Sequence, residues 1–249
     1  MGSVSTAVSV PHDEPSARSA AAAAPSDVAA TERLGIVGAG KLGMAVARAA
    51  LAAGYEVVVA SSGSAERIAL STDILAPGAV ASTVEEVIDS ADVIVLAVPA
   101  HRFRGLPSDL FDGKVLVDAM NYWPDTDGDD PELASTDGGS SGVVQAHFPG
   151  ARVVKSLNQL GYHELEEYSR APGAPDRIAL AAVGDDRLAV RTVLHLLDRL
   201  GFDPVDGGPL ANGKVLEPDG SPYTETLSAD ALAKRLSASS ASKAHPASQ

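Results

Sequence analysis

The sequence predicts an α/β protein with a doubly wound parallel sheet and a small C-terminal α/β portion. Three observations predict this fold. Apolar, β-branched runs alternate with helical patterns from about residue 31 onward, and this alternation is typical of doubly wound sheets. Several of these runs are almost continuously apolar, as in parallel strands that helices cover on both faces. A glycine-rich turn joins the first run to the first helix.

The predicted elements follow one another along the chain. The expected strands are "RLGIVGAG", "YEVVVA", "DVIVLAVP", "GKVLVDAM", "ARVVKSL", "RIALAAVG" and "FDPVDGG". The segment "KLGMAVARAALAAG" predicts a helix that Gly54 closes. "STVEEVIDSA" predicts a short helix whose Ser-x-x-Glu start, Ser82 and Glu85, forms a capping box. "DDRLAVRTVLHLLDRLG" has the periodicity of an amphipathic helix.

Composition divides the chain into four predicted parts. Residues 1–30 are rich in Ala, Ser and Pro, and we expect a disordered leader, because the segment lacks the basic start and leucine-rich centre of a secretion signal. Residues 31–150 form the predicted nucleotide-binding domain, and residues 151–236 form the predicted acceptor-binding portion. Residues 237–249 repeat the low-complexity composition and predict a disordered tail.

Charge and residue content exclude several classes of function. The formal net charge of −14 argues against nucleic-acid or anionic-membrane binding, since both need a basic surface. The sequence has no apolar run long enough to cross a bilayer, and an acidic balance suits a cytoplasmic protein. The chain has no cysteine, which excludes disulfides, zinc–thiolate sites and thiol nucleophiles.

The glycine motif predicts a dinucleotide site. Gly38, Gly40 and Gly43 form G-x-G-x-x-G between a predicted strand and a predicted helix. In this motif the first glycine permits the tight turn, the second admits the pyrophosphate, and the third lets the helix pack on the strand. The helix N-terminus then offers free N–H groups and partial positive charge to the phosphates. The predicted fold is therefore a Rossmann-type doubly wound parallel sheet.

The end of the second strand favours NADP over NAD. An NAD site usually has Asp or Glu there, about twenty residues after the glycines, to bond the ribose hydroxyls. This chain has Ser61 and Ser62 instead, with no acid before Glu66. Serine hydroxyls can donate to a 2′-phosphate, and Arg67 can serve as its charged partner. The alternative interpretation is a neutral turn that tolerates either nucleotide.

The motifs "GIVGAGKLG", "ADVIVLAVP", "GKVLVDAMNYW", "ARVVKSLNQLGYHELE" and "LGFDPVDGGPL" resemble the NADP oxidoreductase, coenzyme F420-dependent family. The resemblance covers about residues 33–236. It implies an NADP domain and a small C-terminal portion, with the nicotinamide and the deazaflavin of F420 stacked in the cleft between them. It also implies direct hydride transfer, so no residue is assigned a catalytic acid or base role, and it implies a homodimer.

The resemblance also assigns cofactor contacts. It implies that the glycine turn holds the pyrophosphate, that Ser61 and Ser62 hold the 2′-phosphate, and that Asn121 lies near the carboxamide. The remaining implied contacts are Gly38, Ala39, Gly40, Lys41 and Leu42 at the pyrophosphate and Ala97, Val98 and Pro99 beside the nicotinamide. The family usually has Ser-Arg in the phosphate loop, whereas this chain has no arginine before Arg67. Asn121 is open to a second interpretation, as a cap of the turn that follows its strand.

A basic segment predicts where the acceptor binds. F420 carries a phosphate and carboxylates, so an acidic protein needs local positive charge to bind it. "PAHRFRG" places His101, Arg102 and Arg104 after the fourth strand, at the edge where ligands bind in open α/β sheets. Lys155 and Asn158 are further predicted substrate contacts. Alternatively, the charges are solvated loop residues and Asn158 forms a turn.

The acidic segment "DTDGDDPELASTDGG" is interpreted as an exposed loop, because its spacing does not match a calcium loop. His163, with Glu164 and Glu167, is interpreted as a solvated helix face, and no metal site is predicted. Trp123 and Tyr122 can either stack on a flat ring or close the pocket.

Three functions are compatible with the sequence. The first is an NADP-dependent oxidoreductase that exchanges hydride with F420. The second is a reductase of the same fold that acts on another small acceptor, such as an imine or a ketone. The third is a non-enzymatic dinucleotide-binding regulator. The first is preferred, because a sensor has no need of basic and polar residues beside the nicotinamide.

Overall fold

The computed structural model describes residues 1–2, 32–134, 138–218, 220 and 223–243. Apart from its first two residues, the predicted leader lies outside this part of the chain. From residue 32 onward, eight strands form one sheet in the order β3-β2-β1-β4-β5-β6-β7-β8. The predicted α/β fold with a doubly wound sheet is thereby confirmed.

The first five strands build the nucleotide-binding half of the sheet. All of their pairings are parallel, so their carboxyl ends meet at one edge. The strands are β1 Arg33–Val37, β2 Glu56–Ala60, β3 Val80–Ser82, β4 Val93–Leu96 and β5 Val115–Asp118. The helices that join them are α1 Lys41–Ala52, α2 Glu66–Leu75 and α3 Val84–Ser90. Two 3₁₀ turns, Ala100–Gly105 and Ser108–Phe111, connect β4 to β5.

The sheet continues across the predicted boundary at residue 150. Strand β6, Arg152–Lys155, pairs parallel with β5, whereas β7, Ala179–Gly184, pairs antiparallel with β6. Strand β8, Asp203–Asp206, pairs parallel with β7. The other elements are α4 Pro124–Asp127, α5 Pro131–Ala134, α6 Ser141–His147, α7 Tyr162–Glu167, α8 Arg187–Arg199, the 3₁₀ turn Leu210–Leu216, and α9 Ala229–Lys243.

Apolar side chains cover both faces of the sheet, as the continuous apolar strands predict. On one face, α1 and α8 contribute Met44 and Val193 to a core cluster. On the other face, the cluster contains Ile88 of α3 with Phe103 and Phe148. Helix α9 packs on β7 and β8 through a third cluster. Among the described residues, no helix is both long and apolar enough to span a lipid bilayer.

Several elements were absent from the sequence prediction, among them the short helices α4, α5 and α6, and also β3, α2 and the last part of α9. Strand β3 has only three residues, too short for a pattern of its own. Helix α2 leaves Leu70 and Ile74 exposed, so its apolar residues do not mark a buried stripe. Helix α9 continues past Leu236, where the tail was predicted, because alanine-rich sequence favours a helix. The rest of the predicted tail lies outside the described residues.

The capping box of α3 lies one residue later than predicted. Thr83, and not Ser82, is the N-cap, and its hydroxyl accepts from the backbone N–H of Glu86 at 3.3 Å. The Glu86 carboxylate accepts in return from the backbone N–H of Thr83 at 3.2 Å and from the Ser82 hydroxyl at 2.5 Å. These hydrogen bonds lower the pKa of Glu86, that from Ser82 most strongly. Glu85, predicted to close the capping box, has no hydrogen bond or ion pair to its carboxylate from the residues that the structure describes.

Candidate functional site

A cavity of about 770 Å³ lies at the carboxyl edge of the sheet, and its size suits a small-molecule ligand. The walls come from the segments that follow β1, β2 and β4 and from the start of α3. The lining residues are Val37, Gly38, Ala39, Gly40, Ser61, Ser62, Val84, Glu85, Ala97, Val98, Pro99, His101, Arg102, Gly105, Leu106 and Pro107. Most of the residues predicted to bind the cofactor therefore share one cavity. Lys41 and Leu42 are not among the lining residues and open α1 directly behind the glycine turn.

The glycine turn has the geometry that its motif predicts. Gly38 has φ +128°, a conformation that favours glycine, and a Cβ there would overlap the carbonyl oxygen of Ala97. A Cβ on Gly43 would overlap the carbonyl oxygen of Gly38, so only glycine lets α1 pack this closely on the turn. Gly40 differs, because a Cβ there would meet no atom within 4 Å. Gly40 therefore leaves open space in the cavity wall at the start of α1.

The end of β2 presents hydroxyl groups to the cavity. Ser61 is half-buried and Ser62 is exposed. Arg67, on the first turn of α2, lies over the same loop, since a Cβ built on Gly63 would be 3.2 Å from its Nη1. The Ser64 hydroxyl bonds the Glu66 carboxylate and lowers its pKa, so the first acid after β2 is already engaged. The structure thus brings the guanidinium of Arg67 to the loop that begins with the two serines, although Arg67 itself is not among the residues that line the cavity.

The basic segment after β4 is largely neutralised by the acidic segment 125–132. The backbone N–H and Nδ1 of His101 lie 3.3 and 2.8 Å from Oδ1 of Asp127. Arg104 donates to Asp130 at 2.5 Å and to Glu132 at 2.8 Å. The hydrogen bond between Arg104 and Asp130 raises the pKa of the arginine and lowers that of the carboxyl group. Most of the described residues of the acidic segment are exposed, as predicted, but the segment contains two short helices and is a partner of the basic one.

Arg102 remains available to a ligand. It lines the cavity, and its Nε lies 3.3 Å from Nε2 of His101. Within the described part of the chain, no carboxylate forms an ion pair with it. The predicted positive patch therefore reduces to one guanidinium, and this group faces the same cavity as Ser61 and Ser62. The sequence analysis predicted that Arg102 contacts the acceptor, whereas in the structure it lines the same cavity as the predicted cofactor contacts.

Lys155 lies away from the cavity. Its side chain is 0% exposed, and Nζ donates to the carbonyl oxygen of Met120 at 2.6 Å and to Asp118 at 3.3 Å. The Asp118 carboxylate, also 0% exposed, accepts from the Ser141 hydroxyl at 2.6 Å and from the backbone N–H of Met120 at 3.0 Å. This buried network joins the ends of β5 and β6. The structure thus places Lys155 as a structural residue, where the sequence predicted a substrate contact.

Asn121 and Asn158 bond each other. Nδ2 of Asn121 donates to the backbone carbonyl of Asn158 at 2.8 Å, and Nδ2 of Asn158 donates to Oδ1 of Asn121 at 3.0 Å. Asn158 also donates to the carbonyl of Leu216 at 2.7 Å. Neither asparagine lines the cavity. The pair fastens the loop after β5 to the loop after β6, which carries Leu157 at φ +64°.

A second cavity, of about 420 Å³, lies beyond the end of β5. Tyr122 and Trp123 line it together with Lys214 and Glu217. Trp123 is 43% exposed, and its ring meets Tyr223 edge to face at 5.9 Å. The Tyr122 hydroxyl is occupied, because it donates to the carbonyl of Gly128 at 2.9 Å. Tyr122 and Trp123 are thus the aromatic residues that a flat ligand in this cavity would meet.

Sequence reasoning missed part of the main cavity wall. Val84 and Glu85 reach it because β3 pairs with β2 and so brings the start of α3 to the same sheet edge. Leu106 and Pro107 reach it from the end of the first 3₁₀ turn. None of these residues belongs to a ligand-binding motif that the sequence analysis identified. Only the strand order could have pointed to the wall that α3 provides.

Comparison with known proteins confirms the predicted family resemblance over part of the chain. Residues 33–122 match the family described as NADP oxidoreductase coenzyme F420-dependent. The rat (Rattus norvegicus) metalloreductase STEAP3 is 28% identical over 187 residues, which are 74% of this chain. The chain spans 36% of the length of that relative.

Solved structures share the fold. A hypothetical protein from Sinorhizobium meliloti superposes with a TM-score of 0.67 at 28% identity, covering 79% of this chain and 95% of its own. A protein from Arthrobacter sp. FB24, described as a candidate F420-dependent NADP reductase, has a TM-score of 0.61 at 23% identity. The match covers 73% of this chain and 86% of that protein. An imine reductase from Myxococcus stipitatus has a TM-score of 0.51 at 18% identity, and the match covers 86% of this chain and 61% of that enzyme. At such identities the last two show the fold alone.

Proposed function

Because residues 33–122 match the NADP oxidoreductase coenzyme F420-dependent family, we propose that this chain binds NADP(H) and exchanges hydride with the deazaflavin coenzyme F420. The observation that carries the nucleotide part is the single cavity that joins a glycine turn to an acid-free strand end. The F420 part is supported by the family match. Both coenzymes supply the redox chemistry, and the protein's part is to bind and orient them.

The cavity walls suit the phosphates of NADP. Gly38 to Leu42 offer backbone N–H groups and the positive end of α1, which at 12 residues is a full helix. The open space at Gly40 admits the pyrophosphate against the backbone. Ser61, Ser62 and Arg67 supply donors for a 2′-phosphate. The first acid after β2, Glu66, comes only after this loop, and its carboxylate is bonded to the Ser64 hydroxyl.

The nicotinamide side of the proposed site lies toward β4 and β5. Ala97, Val98 and Pro99 line the cavity there, and their small or apolar surfaces exclude water from the ring that exchanges hydride. The Asn121–Asn158 pair holds the two loops that follow β5 and β6 in one arrangement. Direct transfer requires alignment of two rings and no protein acid or base, so rigid walls are the main contribution of this chain.

One observation favours a second candidate, a small uncharged acceptor. F420 is anionic, yet His101 and Arg104 are already paired with Asp127, Asp130 and Glu132. An acceptor without negative charge, such as an imine or a ketone, would not need those side chains. The cavity beside Trp123, where the charged residues Lys214 and Glu217 pair with each other, suits such a ligand as well as it suits a deazaflavin ring.

The test mixes purified protein with NADPH and oxidised F420 and follows the deazaflavin absorbance. A parallel reaction uses the deazaflavin that lacks the phosphate and carboxylate tail. Turnover with both acceptors at similar rates supports the proposal and shows that the tail is not held by positive charge. Turnover with neither, while imines or ketones are reduced and NADPH binds, supports the second candidate. Calorimetry without a heat of binding for NADPH or NADH would overturn both.

A further inference from the structure

The main cavity contains a carboxylate that the proposed phosphate contacts do not explain. Glu85 lines the wall together with Val84, and it is exposed at the start of α3. Its neighbour Glu86 is committed to the capping box through Thr83 and Ser82. Within the described residues, the Glu85 carboxylate has neither a hydrogen bond nor an ion pair. It is therefore free to accept a hydrogen bond from a ligand.

Charge restricts which part of the ligand can lie beside Glu85. Two like charges 4 Å apart repel by about 1 kcal/mol in water and by about 4 kcal/mol near a protein surface. A phosphate beside Glu85 would therefore be unfavourable, and a neutral donor group would be favourable. NADP offers such a group in the exocyclic amine of its adenine, which donates hydrogen bonds that a carboxylate accepts.

The strand order places Glu85 at the correct distance along the ligand. The glycine turn follows β1, the serines follow β2, and Glu85 follows β3, and these strands are neighbours in that order. Neighbouring strands are about 4.8 Å apart, so Glu85 lies roughly 10 Å from the pyrophosphate position along the sheet edge. A nucleotide that begins at Gly40 and passes Ser61 and Ser62 would bring its base to this point.

We propose that Glu85 recognises the adenine base of the nucleotide by accepting a hydrogen bond from its exocyclic amine. This inference rests on the proposed binding of NADP(H) and adds base selectivity to it. Hypoxanthine carries a carbonyl oxygen where adenine carries the amine. That oxygen would face the carboxylate with no proton between them, and the analogue would bind more weakly.

The test compares the dissociation constants of NADPH and its hypoxanthine analogue by calorimetry. The native protein is expected to bind NADPH about tenfold more tightly, which corresponds to one hydrogen bond to a charged group. In Glu85→Gln the ratio is expected to fall close to one, because the amide can accept from the amine or donate to the carbonyl. Asp89→Asn is the matched control, since Asp89 is exposed on the same helix but does not line the cavity, and it should keep the native ratio.

Two outcomes would overturn the inference while leaving nucleotide binding intact. One is an equal affinity of the native protein for both bases. The other is that Glu85→Gln leaves the ratio of the two dissociation constants unchanged. If that variant instead gains affinity for NADPH relative to NADH, the carboxylate faces the ribose 2′ position. Absence of binding for every nucleotide would overturn the proposed function itself, so the two failures are distinguishable.

Discussion

Asn121 and Asn158 form a reciprocal hydrogen-bonded pair, in which each side-chain amide donates to an oxygen of the other residue at 2.8 and 3.0 Å. The two residues follow different strands, β5 and β6, whose carboxyl ends are neighbours. The pair therefore fixes two loops at the edge of the proposed site. Asn158 is 1% exposed, so the bonds are shielded from water and their loss is costly.

Replacement of either asparagine should expose this coupling. Asn158→Ala removes donors to Asn121 and Leu216 and is expected to lower the free energy of unfolding by roughly 1–3 kcal/mol. Asn158→Asp keeps the shape but sets a carboxylate oxygen against two carbonyl oxygens, so it should cost at least as much. In urea titrations, the double variant Asn121→Ala/Asn158→Ala should lose less than the sum of the single variants. Strict additivity would mean that the pair contributes nothing.

The glycines of the turn should separate folding from binding. A Cβ on Gly43 overlaps a backbone carbonyl, so Gly43→Ala is expected to cost about 2–3 kcal/mol of stability and to disturb the turn. A Cβ on Gly40 meets nothing within 4 Å, and its φ of −84° suits any residue. Gly40→Ala should therefore change stability by less than about 1 kcal/mol and weaken NADPH binding at least tenfold. Unchanged nucleotide affinity in Gly40→Ala would place the pyrophosphate elsewhere.

Arg67 should read the 2′-phosphate. Arg67→Ala is expected to weaken NADPH binding by about tenfold, the effect of one charge-assisted hydrogen bond, and to leave NADH binding almost unchanged. Arg187→Ala, at an exposed arginine on α8, serves as the control for net charge. Calorimetry with both nucleotides gives the comparison. Equal losses for NADPH and NADH would show that Arg67 does not contact the phosphate.

Replacement of Lys155 should lower the free energy of unfolding and leave acceptor binding unchanged. Lys155→Met leaves the Asp118 carboxylate buried without its counterion, which typically costs about 3–5 kcal/mol. Lys114→Met is the control, because Lys114 is partly exposed and its carboxylate partner Asp92 is 99% exposed, and its expected cost is within about 1 kcal/mol. Chemical denaturation measures both. A large rise in the acceptor KM at unchanged stability would instead place Lys155 in the acceptor site.

The ion pair of Arg104 and Asp130 should make the acidic segment resistant to mild acid. A carboxyl group whose pKa is lowered on folding stabilises the fold at pH values above its ordinary pKa, near 3.8. This contribution is lost as the pH falls through the lower pKa of the folded state. Trp123, the only tryptophan, begins the segment that carries Asp130 and reports its release by fluorescence. The midpoint should lie below 3.8.

Arg104→Gln provides the control for this acid titration. The hydrogen bond from Arg104 is the main cause of the lowered pKa of Asp130, so its removal should move the fluorescence midpoint upward. Far-UV circular dichroism over the same pH range separates release of the segment from unfolding of the whole chain. The same midpoint in both proteins would show that this ion pair does not hold the segment.

The sequence by itself determined the fold and the glycine turn at the cavity wall. Strong local signals account for both: continuous apolar runs require buried parallel strands, Gly38 and Gly43 are required by close backbone contacts, and Gly40 leaves open space at the same turn. The serines at the end of β2 were equally visible, because chain order alone brings the second strand beside the first.

Only the tertiary structure decided which charges are free. His101 and Arg104 are paired with acids that lie more than twenty residues away in the chain, and Lys155 is buried against Asp118 of the neighbouring strand. Glu85 enters the cavity wall because β3, too short to show a pattern, pairs with β2. Neither pairing of side chains nor burial is a property of local sequence. Both depend on which strands become neighbours, and that is decided only when the whole sheet has formed and its helices have packed on it.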